Sequence, residues 1–262
     1  MTDIQFTVAH DIGVATITLS RPDVLNSVTR AMAQEIHRAI EQVAGDETLR
    51  AVVLTGAGRG FCAGQDLAEA LPRDGPIPDL GDVVRDSYNP IVRAIRKLEK
   101  PVVCAVNGVA AGAGANIAFA CDIVIAASSA VFVQSFSKIG VIPDSGGTFI
   151  LPRIVGLHRA TIMTMLAEKM SANQAREWGL VYSVVEPDVL LETATGIAAQ
   201  LAAQPTRALG LIKRAFNASL GVDLDAQLDL EEQLQREAGA TEDYAEGVRA
   251  FLEKRRPVFK GR

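Results

Sequence analysis

The chain has 262 residues and a formal net charge of −5, with 48% hydrophobic and 22% charged residues. That length fits one large domain, or one domain with an appendage, and gives a core large enough to need no metal or disulfide staple. The acidic balance argues against nucleic acid as the main partner. Basic residues do gather in Arg93–Lys100 and Lys254–Arg262, as solvated surface or as groups that meet a ligand phosphate.

The first residues show no basic region followed by an apolar core, so no signal peptide is expected and the chain reads as cytoplasmic. Alternation over Ile4–Leu19, interrupted at His10–Gly13, predicts a hairpin that Arg21-Pro22 ends. Thr29 is placed to cap a helix with Ala31, Ile36, Ile40 and Val43 toward the core. The apolar run Ala51–Leu54 predicts a buried strand, followed by a glycine-rich loop, Gly56–Gly60. Leu71–Leu80, with Pro72, Gly75, Pro76 and Pro78, reads as a mobile loop. A helix is expected over Ser87–Leu98, strands at Pro101–Val106, Asp122–Ala126 and Phe132-Val133, and a short helix at Ala113–Cys121.

Strands without strict alternation, separated by helices, indicate an α/β fold with a buried parallel sheet. The long apolar run Val102–Val133 is broken by glycines and polar residues, so it reads as core rather than a membrane span. From His158 onward the pattern is nearly all helix, with Ser171 capping one helix and others over Pro205–Ser219, Leu224–Arg236 and Thr241–Lys254. The change of pattern divides the chain into an α/β part, residues 1–200, and a helical C-terminal region, residues 201–262. The three cysteines, Cys62, Cys104 and Cys121, form no C-x-x-C pair and read as reduced small hydrophobes. No His/Cys cluster suggests a metal.

Three segments carry candidate chemistry. Asp144 follows a stretch from Lys100 to Pro143 in which the only acidic residue is Asp122. A lone carboxylate after such a run reads equally as a turn residue in Pro-Asp-Ser-Gly and as a base in a dry pocket. Cys62–Leu67 and Ala110–Asn116 are glycine-rich turns that lead into helical sequence. Each reads as tight helix–strand packing, or as a source of unpaired N–H groups for an oxyanion.

Phe61–Leu67, Asn107–Gly114 and Gly140–Thr148, with Arg21-Pro22…Leu25-Asn26, Ala175…Trp178–Val181 and Phe251–Arg255, resemble the signatures of the enoyl-CoA hydratase/isomerase (crotonase) superfamily over almost the whole chain. The resemblance implies a spiral of ββα units with a helical trimerisation region, assembled as a trimer or a pair of trimers. It implies an acyl-CoA thioester as substrate, with coenzyme A entering as part of it and no separate cofactor. It assigns the Ala63 and Ala113 N–H groups to the thioester oxygen, and Asp144 to catalysis. Substrate contacts are expected from Ala63, Gly64, Gln65, Asp66, Leu67, Gly112, Gly114, Asn116 and Phe136, with Asp66 also read as a turn or helix cap.

Hydratases of the family carry glutamates where this chain has Asn116 and Phe136, so the resemblance implies an isomerase. Thr55–Leu67, Leu211-Ile212-Lys213 and Asp225–Glu231 are most similar to family isomerases of aerobic phenylacetate breakdown. These turn a ring epoxide into an oxepin and shift 3-enoyl to 2-enoyl thioesters. Ile142, Phe136 and Phe149 are expected to supply the apolar setting of Asp144. The alternatives are a hydratase, an aryl-CoA dehalogenase (which would be expected to use a histidine that Tyr88–Leu98 lacks), or a non-catalytic acyl-CoA or RNA-binding member.

Overall fold

Ten strands divide between two sheets in a computed structural model that describes residues 2–70 and 78–262. The larger sheet has the order β1-β2-β3-β5-β7-β10 and the smaller β4-β6-β8-β9. The hairpin is β1 (Ile4–Ala9) and β2 (Val14–Leu19), antiparallel with Phe6 opposite Ile17. Thr29 caps α1 (Arg30–Gly45), its hydroxyl accepting the Met32 N–H at 3.1 Å. Ala31 is exposed; Met32 and Ala33 take the inward positions that the sequence reading gave to it.

β3 (Ala51–Gly56), β5 (Val102–Val106) and β7 (Ile123–Ala127) are parallel neighbours in the first sheet. β4 (Gly60–Cys62), β6 (Val109–Ala111) and β8 (Val131–Val133) are parallel neighbours in the second. Each consecutive pair, β3/β4, β5/β6 and β7/β8, therefore gives one strand to each sheet, and the chain winds as a spiral. All five residues of β5 are buried, as a central strand covered on both faces requires. β9 (Met170–Ser171) and β10 (Ser183–Val185) close the edges of the two sheets.

The helices between them are α2 (Leu67–Ala70), α3 (Leu80–Val83), α4 (Asn89–Lys97), α5 (Ala113–Ala120), α6 (Gly147–Val155), α7 (Leu157–Leu166) and α8 (Ala172–Glu177), which Ser171 caps. A π-helical turn, Val84–Tyr88, runs into α4, so the helix expected from Ser87 begins as a wider turn. The loop expected at Leu71–Leu80 lies, for residues 71–77, outside the described residues. The helical end comprises α9 (Leu190–Ala202), α10 (Thr206–Ser219), α11 (Leu224–Gly239) and α12 (Glu242–Leu252). α9 packs across β3 and β5, while α10 is held by an ion pair, Lys213 Nζ to Asp122 Oδ2 at 2.7 Å. Among the described residues no helix is long and apolar enough to cross a membrane.

Residues 21–28 form a rail for the segment that leaves β4. Asn26 is fully buried, and its Nδ2 donates to the carbonyls of Ala57, Gly60 and Phe61 at 2.9, 2.8 and 3.2 Å. Its Oδ1 accepts the Arg21 N–H at 2.8 Å. Asn26 has φ 55°, a left-handed conformation that asparagine tolerates better than most residues. Val28 continues the rail, donating to Gly64 O at 2.7 Å and accepting from the Asp66 N–H at 3.0 Å. Asn26→Ala strands these buried carbonyls, so we expect a loss of about 2–4 kcal/mol of unfolding free energy, read as a lower urea midpoint with unchanged slope.

Candidate active site

The two glycine turns meet. Gly64 leaves the rail with φ 91°, and a Cβ on it would lie 2.9 Å from Ala111 O and 3.4 Å from the Ala113 nitrogen. Gly112 turns the chain from β6 into α5 with φ 52°. Only residues able to adopt these angles without a side chain let the two backbones approach so closely. Gly114 serves the same contact from the other side: a Cβ there would overlap the Cys62 carbonyl oxygen and sit 2.7 Å from Cys62 Sγ. Gly114 therefore faces β4 rather than a ligand.

The hydrogen bonds decide which N–H groups remain available. The Ala63 N–H, expected to bind an oxyanion, donates to Leu25 O at 2.9 Å and is already used. The Gln65 N–H belongs to the peptide whose Gly64 oxygen accepts from Val28, so it points away from the rail, and it has no acceptor among the described residues. Ala113 opens α5, and its N–H also has no acceptor among the described residues, as the first turn of a helix dictates. Gln65 and Ala113 thus replace Ala63 and Ala113 as the candidate donor pair. The signal lay in Leu25 and Val28, whose partners a sequence does not reveal.

Asp66 is turned away from the turn junction. Its carboxylate accepts from Arg21 Nη1 at 2.7 Å, from the Ser27 hydroxyl at 3.2 Å and from the Ala68 N–H at 3.0 Å. Burial alone would raise its carboxyl; these bonds outweigh it and hold the group below its ordinary value. The side chain caps the turn into α2 and is not free to bind substrate. Leu67, by contrast, is exposed at the head of α2.

Asp144 stands in a turn at the entrance to α6. Its carbonyl closes a turn by accepting the Gly147 N–H at 2.8 Å, while its carboxylate is largely withdrawn from water. Burial raises this carboxyl above its ordinary value, and a bond donated by the Ser145 hydroxyl at 2.8 Å opposes the rise. The apolar setting differs from the expected one. Ile142 is 77% and Phe149 47% exposed, so neither desolvates the carboxylate. Phe136 is buried but lies against Gly112, whose Cβ position is 3.7 Å from the ring. α4 flanks the same turn: a Cβ on Gly146 would be 3.5 Å from Val92 Cγ1.

Tyr88, at the end of the π-helical turn, belongs to the same neighbourhood. Burial pushes its phenol well above the ordinary value, and the nearby Cys62, Asp144, Glu69 and Asp66 add to the rise. Its hydroxyl donates to Val28 O at 3.4 Å. Sequence reading placed this residue only near the start of the Ser87–Leu98 helix; the π-helical turn that buries it is set by packing rather than by a local motif. Burial also pushes the Cys62 thiol up, to about 11.

Asn116, one turn into α5, has almost no exposed surface. Its Nδ2 donates to Asp144 O at 2.8 Å and its Oδ1 accepts from Gln134 Nε2 at 2.9 Å. The side chain expected to touch substrate is spent on holding the Asp144 turn against α5. The described residues contain no group of three or more His, Cys, Asp or Glu arranged to hold a metal.

Residues 10–262 match the enoyl-CoA hydratase/isomerase family. The chain is 53% identical over 261 residues to the 1,2-epoxyphenylacetyl-CoA isomerase of Escherichia coli, covering 99% of this chain and 100% of that one. It is 38% identical over 254 residues to the trans-2-decenoyl-[acyl-carrier-protein] isomerase of Streptococcus mutans, covering 96% of each. The crystal structure of the enoyl-CoA hydratase from Bacillus anthracis superposes with a TM-score of 0.92 at 35% identity, over 99% of this chain and 100% of that one.

The raised Asp144 carboxyl has a stability consequence. Above the folded-state pKa the native protein carries a desolvated charge that the unfolded chain does not; below the ordinary value of ~3.9 both states are protonated and the penalty disappears. Asp144→Asn should therefore raise the melting temperature at pH 7, by about 2–4 °C per kcal/mol released. The gain should vanish as pH falls through the folded pKa toward the ordinary one, as thermal melts across that range would read.

Proposed function

The chain belongs to the enoyl-CoA hydratase/isomerase family, and from that premise we propose an isomerase of acyl-CoA thioesters in which Asp144 shuttles the proton. The observation that carries this reading is a half-buried carboxyl, raised above its ordinary value, on a turn that Asn116 ties to α5, the helix whose first N–H has no acceptor among the described residues. The Gln65 and Ala113 N–H groups hold the thioester oxygen as it gains charge. Asp144 takes the proton from C2 of the acyl group, and the oxygen-held enolate carries the electron pair. With a 3-enoyl thioester the pair shifts toward C4, the same carboxyl returns its proton there, and a 2-enoyl thioester leaves. With a ring 1,2-epoxide the pair enters the ring, the three-membered ring opens to the oxepin, and the proton returns to a ring carbon. Both reactions conserve every atom of the substrate.

Hydration would need a second acid or base to handle water. At the two positions where the family's hydratases carry glutamates this chain has the fully engaged Asn116 amide and the Phe136 ring. The other carboxylates near Tyr88 are engaged elsewhere, Asp66 with Arg21 and Glu69 with the Arg30 N–H at 2.9 Å. Identity of 53% with the Escherichia coli isomerase supports the ring 1,2-epoxyphenylacetyl-CoA thioester as substrate and phenylacetate breakdown as the setting. Coenzyme A enters as part of that substrate, in the cytoplasm. Exposed apolar residues on the helical end, including Phe216, Leu224, Phe251 and Leu252, support assembly of this region into a homotrimer or a dimer of trimers.

Incubation with a 3-enoyl-CoA in deuterated water should give a 2-enoyl-CoA of unchanged skeleton; a product heavier by one water would overturn the isomerase reading. Asp144→Asn should retain the fold and lower kcat about 10²–10⁴-fold. The acid limb of the kcat/KM profile should lie above the ordinary carboxylate value, because activity is lost as pH falls through the raised Asp144 pKa.

A further inference from the structure

Three amides and carbonyls in a row have only one consistent hydrogen-bond pattern. The Asp144 carbonyl can only accept, so Asn116 must present Nδ2 to it, at 2.8 Å. That choice turns Asn116 Oδ1 toward Gln134, which must then present Nε2, at 2.9 Å. Gln134 Oε1 is left buried with no partner among the described residues. Asn116 and Gln134 are each 1% exposed, so bulk solvent does not reach either bond. An unpaired buried acceptor is unfavourable, and here it is the cost of orienting the other two groups.

The turn being held is strained. Ser145 sits at φ 51° without being glycine, and the Gly147 and Asn116 donors converge on the single carbonyl before it. Gly147 makes room for this: a Cβ there would overlap the Asn116 amide. The relay also ties three elements together. Gln134 follows β8, whose Val133 carbonyl accepts the Gly112 N–H at 2.9 Å at the entry to α5. The head of α5, which carries the Ala113 N–H, and the Asp144 turn are thereby fixed to one frame.

We propose that Asn116 and Gln134 are positioning residues for Asp144, with Gln134 acting through Asn116 to hold the Asp144 turn against the head of α5. This rests on Asp144 as the base and assigns the two amides a role beyond it. A carboxylate at position 116 cannot serve, since it would face the Asp144 carbonyl with a lone pair and add negative charge beside the base.

The test compares Asn116→Ala, Asn116→Asp, Gln134→Ala, the double alanine variant and Asp144→Asn, with 3-enoyl-CoA turnover and with the ¹³C titration of the Asp144 carboxyl. A base displaced by a fraction of an ångström to 1 Å loses about 10- to 100-fold in rate. We expect that loss in kcat for N116A with KM within about twofold, a larger one for N116D, and a smaller one for Q134A. The double variant should match N116A alone, because Gln134 has nothing left to act through. The Asp144 titration midpoint should fall toward ~3.9 in N116A as the turn admits water. Unchanged kcat and unchanged midpoint in N116A would overturn the relay, as would a Q134A loss that persists in full without Asn116. If N116A does not fold, Q134A carries the same two readouts alone. Turnover retained in D144N would remove the base assignment, and the Asp144 titration in N116A would still decide the relay separately.

Discussion

The site depends on one steric constraint, the approach of the segment leaving β4 to the head of α5. Backbone meets backbone there, at Gly64 against Ala111 and Ala113 and at Gly114 against Cys62. Neither contact has room for a side chain, since a single Cβ would strike a carbonyl oxygen, which cannot swing aside as a flexible side chain does. The closeness leaves the Gln65 and Ala113 N–H groups beside the same junction, although they come from strands and turns some fifty residues apart in the chain. The rail at residues 21–28 supports this contact from below, by tying the carbonyls of Gly60, Phe61 and Gly64 to Asn26 and Val28. The second sheet, with strands of only two or three residues, would be marginal alone. Its connection to the first sheet through every strand pair makes it part of one spiral.

Local signals were the ones the sequence carried faithfully. The β1–β2 hairpin, the Thr29 and Ser171 caps and the buried β5 strand each follow from periodicity or capping chemistry within a few residues. β6, β9 and β10 are too short to show a period; they are strands because of their neighbours. The same limit governs the site. Motif reading brought the right turns together but chose the Ala63 N–H, and only the bond to Leu25, nearly forty residues earlier, shows that it is taken. Asp66 looks like part of a ligand channel until Arg21 is placed against it. Ile142 and Phe149 follow the pattern of a greasy wall, yet the direction of the turn points both outward. In each case the deciding partner is distant in sequence.

Asn116 is the most instructive of these. In the sequence it is conspicuous as an acid that is missing; in the fold it is a donor that is needed, bridging the Asp144 carbonyl and Gln134. The missing carboxylate and the anchored Asp144 turn are thus one and the same side chain seen from two sides. An enzyme of this design would not regain water chemistry simply by acquiring a carboxylate at position 116, because that carboxylate would first have to release the Asp144 turn.

The cysteine wedged beneath this junction has a chemical consequence. Cys62 Sγ lies against the first turn of α5, where a thiolate would be a nucleophile at the heart of the junction. Burial pushes its pKa to about 11, so at neutral pH roughly one molecule in ten thousand carries the nucleophilic form. Burial thus keeps this sulfur a neutral, space-filling group in the wall of the junction, both unionised and closed off from solvent.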